Sequence, residues 1–298
     1  MKREKQKAKK PLVDWIEAFL WAACMVLLAN QYLVQAYRIP SGSMIDTLNI
    51  GDHVFVNKMV YGPELLPGFL KLPSPVQPSR NDIIIFESPD YVSRGTVFDI
   101  MQRVIYMLTL SLVDIDRDDT GQQRVHFLIK RAIGQAGDRF MIENGEMKIR
   151  FAGEVRWVTE REYNESMGWN HNISRLINQG QYPAISAVGK VQGWSNVGFP
   201  VSQSLISDAS AASYYDSFAV GAARNETIRK AVPHDKRYSV FHARDRLGWY
   251  VPEGRVFALG DNRDSSNDGR SFGPVRTSKV LGRGLVIFWP FNRWGNII

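Results

Sequence analysis

The 298-residue chain has a single cysteine, Cys24, so no internal disulfide can form and the fold must hold by its own apolar core. Histidine is scarce as well. The five are His53, His126, His171, His234 and His242, none of them in a recognisable triad context, and no G-x-S-x-G turn surrounds Ser43. Net basic charge is small beyond the first ten residues: MKREKQKAKK holds six Lys/Arg against one Glu in a chain whose net charge is +7, and the remainder is close to neutral. That speaks against a nucleic-acid partner, which requires basic residues gathered on a folded face. No repeat of fixed period is visible. An apolar fraction of 44% excludes disorder throughout.

Long apolar runs are also absent, with one exception: 15-WIEAFLWAACMVLLANQYLVQAY-37. About 20 residues at ~1.5 Å each suffice to cross a hydrocarbon layer of ~30 Å, and Trp15, Trp21, Tyr32 and Tyr37 stand where interfacial anchors belong. Asp14, Glu17, Asn30 and Gln31 are costly in lipid unless they lie near an interface. A cleaved export signal is the rival reading, but the run is long for one and no A-x-A site precedes residue 39. The expected organisation is a basic cytoplasmic tail over 1–12, a transmembrane helix over 13–37 and an exoplasmic domain over 38–298, oriented by the positive-inside rule. If the span is only a tether, a chain starting near residue 38 should remain active.

Beyond the anchor the chain reads as mainly β. Segments 52–62, 82–88, 125–133, 255–261 and 280–290 are alternating or short apolar runs, and Asn144-Gly145 within 139–151 is a strong hairpin signal. Two stretches do not fit and read as insertions, about 90–124 and 152–252. Within the first, 96–115 has helix-like apolar spacing, suited to a buried helix or to a surface resting on lipid.

A serine nucleophile needs a base. With no histidine placed for it, lysine is the other option. In 127-FLIKRAIG-134, Lys130 alternates with apolar residues. Such a lysine reads either as an edge residue that snorkels to water or as a buried amine whose pKa falls toward neutrality, able to accept a proton. Lys58, on the first strand, is expected to tolerate arginine.

Four ordered motifs, 40-PSGSM-44, 51-GDHVFVNKMVYG-62, 127-FLIKRAIGQAGD-138 and 260-GDNRDSSNDGR-270, follow the apolar run. With 282-GRGLVIFWP-290, they resemble the signature boxes of the type I signal peptidases of bacteria. The resemblance implies a membrane-anchored endopeptidase with a signal-peptidase-like β fold and no cofactor or metal. It would act at the outer face of the inner membrane, cutting A-x-A signal peptides from exported preproteins, with lipid and the secretion translocon as further partners. By position, Ser43 corresponds to the nucleophile and Lys130 to the general base. Ser41 corresponds to the hydroxyl of the oxyanion hole and Ser266 to the one that orients the lysine. Arg131 with Asp261, Asp268 with Arg270, and Asn262 would support the site, while Ile39, Pro40, Met44, Leu48 and Ile129 match the apolar lining for small side chains.

Three positions depart from the family pattern: Asp46 and Ala136 stand where proline is common, and Asn81 where glycine is usual. The alternative is a catalytically silent, membrane-tethered relative that binds signal peptides or a secretion complex. Such a role needs none of Ser41, Ser43, Lys130 and Ser266.

Overall fold

The computed structural model describes residues 11–65, 71–74, 76–238 and 247–297. The basic tail over 1–10 and His242 lie outside them. The chain begins with helix α1, Pro11–Tyr32, whose length of about 33 Å follows from 22 residues at ~1.5 Å each. Its Leu12–Tyr32 portion is, among the described residues, the one helix long and apolar enough to cross a membrane. Trp15 and Trp21 project outward from it. Asn30 and Gln31, costly in lipid, are spared exposure: the Asn30 amide donates to Val26 O at 2.9 Å and the Gln31 amide to Glu64 O at 2.7 Å.

The expected span over 13–37 is divided. Helix α1 stops at Tyr32, and strand β1, Val34–Arg38, begins two residues later. It pairs antiparallel with β2, His53–Asn57, in register from Val34↔Asn57 to Arg38↔His53. Tyr37 is therefore a core residue rather than an interfacial anchor, 3% exposed, its ring edge-on to Phe127 at 5.5 Å. The folded domain starts at residue 34, not 38. Composition hides this boundary because an apolar strand directly after an apolar helix leaves the hydropathy unbroken.

The remaining strands are β3 (Ile83–Glu87), β4 (Phe127–Gly134), β5 (Arg139–Glu143), β6 (Glu146–Arg150), β7 (Val158–Thr159), β8 (Trp249–Tyr250), β9 (Arg255–Leu259), β10 (Val275–Arg276), β11 (Val280–Trp289) and β12 (Gly295–Asn296). Among the described residues they make two sheets. The larger, of eight strands, runs β1-β2-β11-β3-β4-β9-β10 with β12 on β11, and the smaller runs β7-β6-β5-β8. The mainly β fold anticipated from alternation is the one observed. Asn144 and Gly145 join β5 to β6 with φ of 49° and 74°, the left-handed pair that a tight hairpin turn requires. In β4, Leu128 and Ala132 pack with Ile84 and Phe86, whereas Phe127 and Ile129 pack with Tyr37, Ile39 and Met44, as period-2 alternation demands.

Both insertions are helical. The first holds α2, Thr96–Leu108, which packs against α1. The second holds α3 (Glu160–Met167), α4 (Tyr182–Asn196), α5 (Gln203–Ser210) and α6 (Ser217–Ala231). Helix α3 opens with a capping box, the Thr159 hydroxyl accepting from the Glu162 N–H while the Glu162 carboxylate accepts from the Thr159 N–H.

Lys58, expected on the first strand, lies just past the end of β2 at Asn57, 3% exposed, its amine donating to the Gln35 amide oxygen at 3.1 Å.

Candidate active site

Between β1 and β2 the chain makes one short 3-10 turn, Gly42–Met44, that holds Ser43. Met44 and Leu48 are sunk into the core beneath it and fix where the turn can sit. The loop after β9 fastens the same turn from the other side: the Asn262 N–H donates to Ser43 O and the Asn262 side-chain amide to Gly42 O, both at 3.0 Å. Gly260 makes this approach possible. A Cβ there would lie 2.5 Å from Ser43 O and 2.2 Å from the Ser266 hydroxyl, closer than atoms tolerate.

Strand β4 brings Lys130 to the serine. Its Nζ is 2.5 Å from Ser43 Oγ and 3.0 Å from Ile129 O, in a side chain 2% exposed. Burial pushes the amine down to about 8, with Asp268 and Asp261 opposing the shift and Arg270 adding to it. The other buried lysine, Lys58, is pushed down to about 8 for the same chief reason, so the shift alone does not separate the two. Geometry does: Lys130 meets a hydroxyl, Lys58 an amide oxygen.

Behind the pair, Arg131 grips Asp261 bidentately, Nε to Oδ1 at 2.9 Å and Nη2 to Oδ2 at 2.7 Å. Burial would raise the Asp261 carboxyl, but Arg131 holds it below the ordinary carboxylate range. Two side chains missed in the sequence complete this knot. The Thr47 hydroxyl donates to Asp261 at 2.6 Å, and the Asn81 side-chain oxygen accepts from Arg131 at 2.7 Å. Asn81 has φ of 73°, a left-handed conformation that asparagine tolerates better than most residues, and so it can occupy the usual glycine position. Asp46 also has a positive φ, 76°, which proline cannot adopt; its exposed carboxylate accepts from the Asn172 amide at 2.5 Å.

Asp268 is fully buried and accepts from the Gly260 N–H at 3.0 Å and from Arg270 Nε at 2.9 Å. Ser266 is half-buried, its hydroxyl covered beside Gly260, yet that hydroxyl is not bonded to the Lys130 amine, the contact expected of it. Sequence gave no sign of Arg263 and Glu160, an ion pair with both partners almost wholly buried, which ties this loop to α3.

A cleft of about 900 Å³ opens onto Ser43 and Lys130. Ser41, Ile39, Pro40, Met44 and Ile129 line it near the serine. Leu48, expected in that lining, is instead wholly buried in the core below, because the chain turns inward after Met44 to pack under β2. Ser41, exposed and extended, makes no capping bond and leaves its hydroxyl available to the cleft. The far wall comes from the first insertion, with Gln102, Tyr106, Ser111 and Asp114 contributing. His126 on that wall pairs with Asp116 at 2.8 Å. It is a histidine-carboxylate couple that no motif announced, while the partner of the Ser43 hydroxyl is Lys130.

The model of the family described as signal peptidase, peptidase S26 matches residues 12–289. Signal peptidase I of Haemophilus influenzae is 26% identical over 304 residues, covering 98% of this chain and 75% of the relative. Signal peptidase I of Buchnera aphidicola from Acyrthosiphon pisum is 23% identical, covering 98% and 80%. That of Pseudomonas aeruginosa is 25% identical, covering 99% and 79%. The chain belongs to the signal peptidase S26 family, and with it to the serine endopeptidases of signal-peptide processing.

Proposed function

We propose that this member of the signal peptidase family cleaves signal peptides with a Ser43-Lys130 dyad, after small residues of the A-x-A type. The observation that carries the reading is the 2.5 Å approach of a buried, pKa-depressed amine to the Ser43 hydroxyl. In its neutral form Lys130 accepts the Ser43 proton as Oγ attacks the scissile carbonyl carbon. The oxyanion so formed is met by the Ser43 N–H and the Ser41 hydroxyl, donors worth about 3 kcal/mol each when preorganised. The lysinium then returns its proton to the leaving amine. Water, deprotonated in turn by Lys130, releases the acyl group from Ser43 and restores the hydroxyl.

Ile39, Met44 and Ile129 give the cleft an apolar lining beside the serine, which suits an uncharged side chain such as alanine before the cut. Asp261-Arg131 and Asp268-Arg270 act as positioning pairs: they neutralise one another while bracing β4 and the 260s loop on either side of the amine. Helix α1 crosses the inner membrane with residues 1–12 in the cytoplasm, and the domain from residue 34 faces the outside, where preproteins emerge. A silent, peptide-binding relative has no use for a buried amine on a serine.

Full-length protein in detergent, incubated with a preprotein carrying an A-x-A site, tests the reading. Wild type should release the mature chain. Ser43→Ala and Lys130→Arg should each leave it uncut, since a guanidinium does not deprotonate, with little change in melting midpoint. Processing by Lys130→Arg at the wild-type rate would return the search to His126.

A further inference from the structure

Helix α2 is inverted relative to an ordinary surface helix. Its charged side chains face protein: Arg103 donates to Glu64 at 2.8 Å and to Glu87 at 3.0 Å, and Asp99 accepts from Tyr91 at 2.9 Å and Ser93 at 2.5 Å. Gln102, 1% exposed, is tied to Asp114 at 2.8 Å. What α2 turns outward after Thr96 is apolar, namely Val97, Ile100, Met101 and Leu108, with exposures of 82%, 37%, 49% and 41%. The turn that follows adds Leu112 and Val113, also exposed. An apolar strip of this length, without an outward charge, is a contact surface rather than a solvated face.

Its neighbour identifies the occupant. Helix α2 packs on α1, which is exposed from Leu12 to Ala22 and partly or wholly buried at Ala23, Leu27, Asn30 and Gln31. The apolar surface of the membrane-spanning helix therefore continues onto α2 at the end of the span, where lipid gives way to the folded domain. We propose that α2 lies in the plane of the membrane surface, its Val97-Met101-Leu108 face resting on the acyl chains of the leaflet that meets the domain. This inference rests on the reading of α1 as a span. An amphipathic helix of this kind sinks about 5–10 Å into the boundary between headgroups and acyl chains. The opposite side of α2 presents Gln102 and Tyr106 to the cleft, so one helix has the bilayer on one side and the substrate channel on the other.

Cys24, exposed near the middle of α1, supplies an internal control. Full-length protein is reconstituted into vesicles of phosphatidylethanolamine and phosphatidylglycerol, with and without acyl-chain-brominated lipid, and labelled with bimane at one cysteine. The labelled sites are native Cys24 and, in the Cys24→Ser background, Met101→Cys, Val97→Cys or Val155→Cys, the last on an exposed loop of the second insertion. Bromolipid should quench Cys24 and both α2 positions several-fold more than Val155→Cys. Strong quenching at Cys24 with both α2 positions no more quenched than Val155→Cys overturns the proposal alone. An unquenched Cys24 overturns the span and the proposal with it.

Discussion

Two buried lysines with the same depressed pKa differ in the partner each amine meets. For Lys130 that partner is the Ser43 hydroxyl, and only the neutral amine accepts its proton. The neutral fraction grows as pH rises through about 8, so cleavage should climb with pH to a midpoint near that value and fall about tenfold per unit well below it. Rates against an A-x-A peptide from pH 6 to 10 check this. The folded protein also binds fewer protons than the unfolded chain wherever a lysine pKa is lowered. Stability from this source therefore rises between about pH 8 and the ordinary lysine value, and is lost as pH falls through that window. Lys58→Met should flatten that stability slope and leave the pH midpoint of cleavage in place, because Lys58 bonds Gln35 and not the serine. A midpoint displaced by Lys58→Met would tie that amine to the chemistry.

Strand β1 sets where the domain can be cut free of its anchor. Ala36 and Tyr37 are buried, and all five β1 residues pair with β2. A chain starting at residue 39 should lose that pairing and show a sharply lowered or missing cooperative melt, whereas one starting at residue 33 keeps it. Differential scanning calorimetry of the two separates tether from core. The sequence disclosed elements whose period contrasts with their surroundings: the alternating strands, the Asn-Gly hairpin and the helical spacing of α2. It concealed β1, which continues the hydropathy of α1 without a break. The pair Ser43-Lys130 was legible from motif order. The contributions of Thr47, Asn81 and Glu160 were not, because their role arises from contacts across 50 to 214 residues of chain, which no local pattern encodes.

At the scale of the whole molecule, the second insertion is fastened to the site loop rather than hung from it. Glu160 neutralises Arg263, Ser174 exchanges backbone hydrogen bonds with Asp261 and Arg263, and Phe218 lies under the Arg270 guanidinium at 4.5 Å. Glu160→Gln leaves Arg263 charged and buried, and should cost about 3–5 kcal/mol in a denaturant melt. Cleavage should fall as well, because the same loop carries Asn262 against the Gly42-Ser43 backbone.

That clasp joins residues 220 positions apart, with the serine near the beginning of the chain and its brace near the end. On a ribosome adding about 5–20 residues per second, Ser43 waits roughly 10–40 s before the loop that holds it exists. Helix α1 can enter the bilayer in that interval with the hydrolytic centre still unassembled. The order of synthesis itself thus keeps the nascent chain latent until Asn262 and its loop have been added.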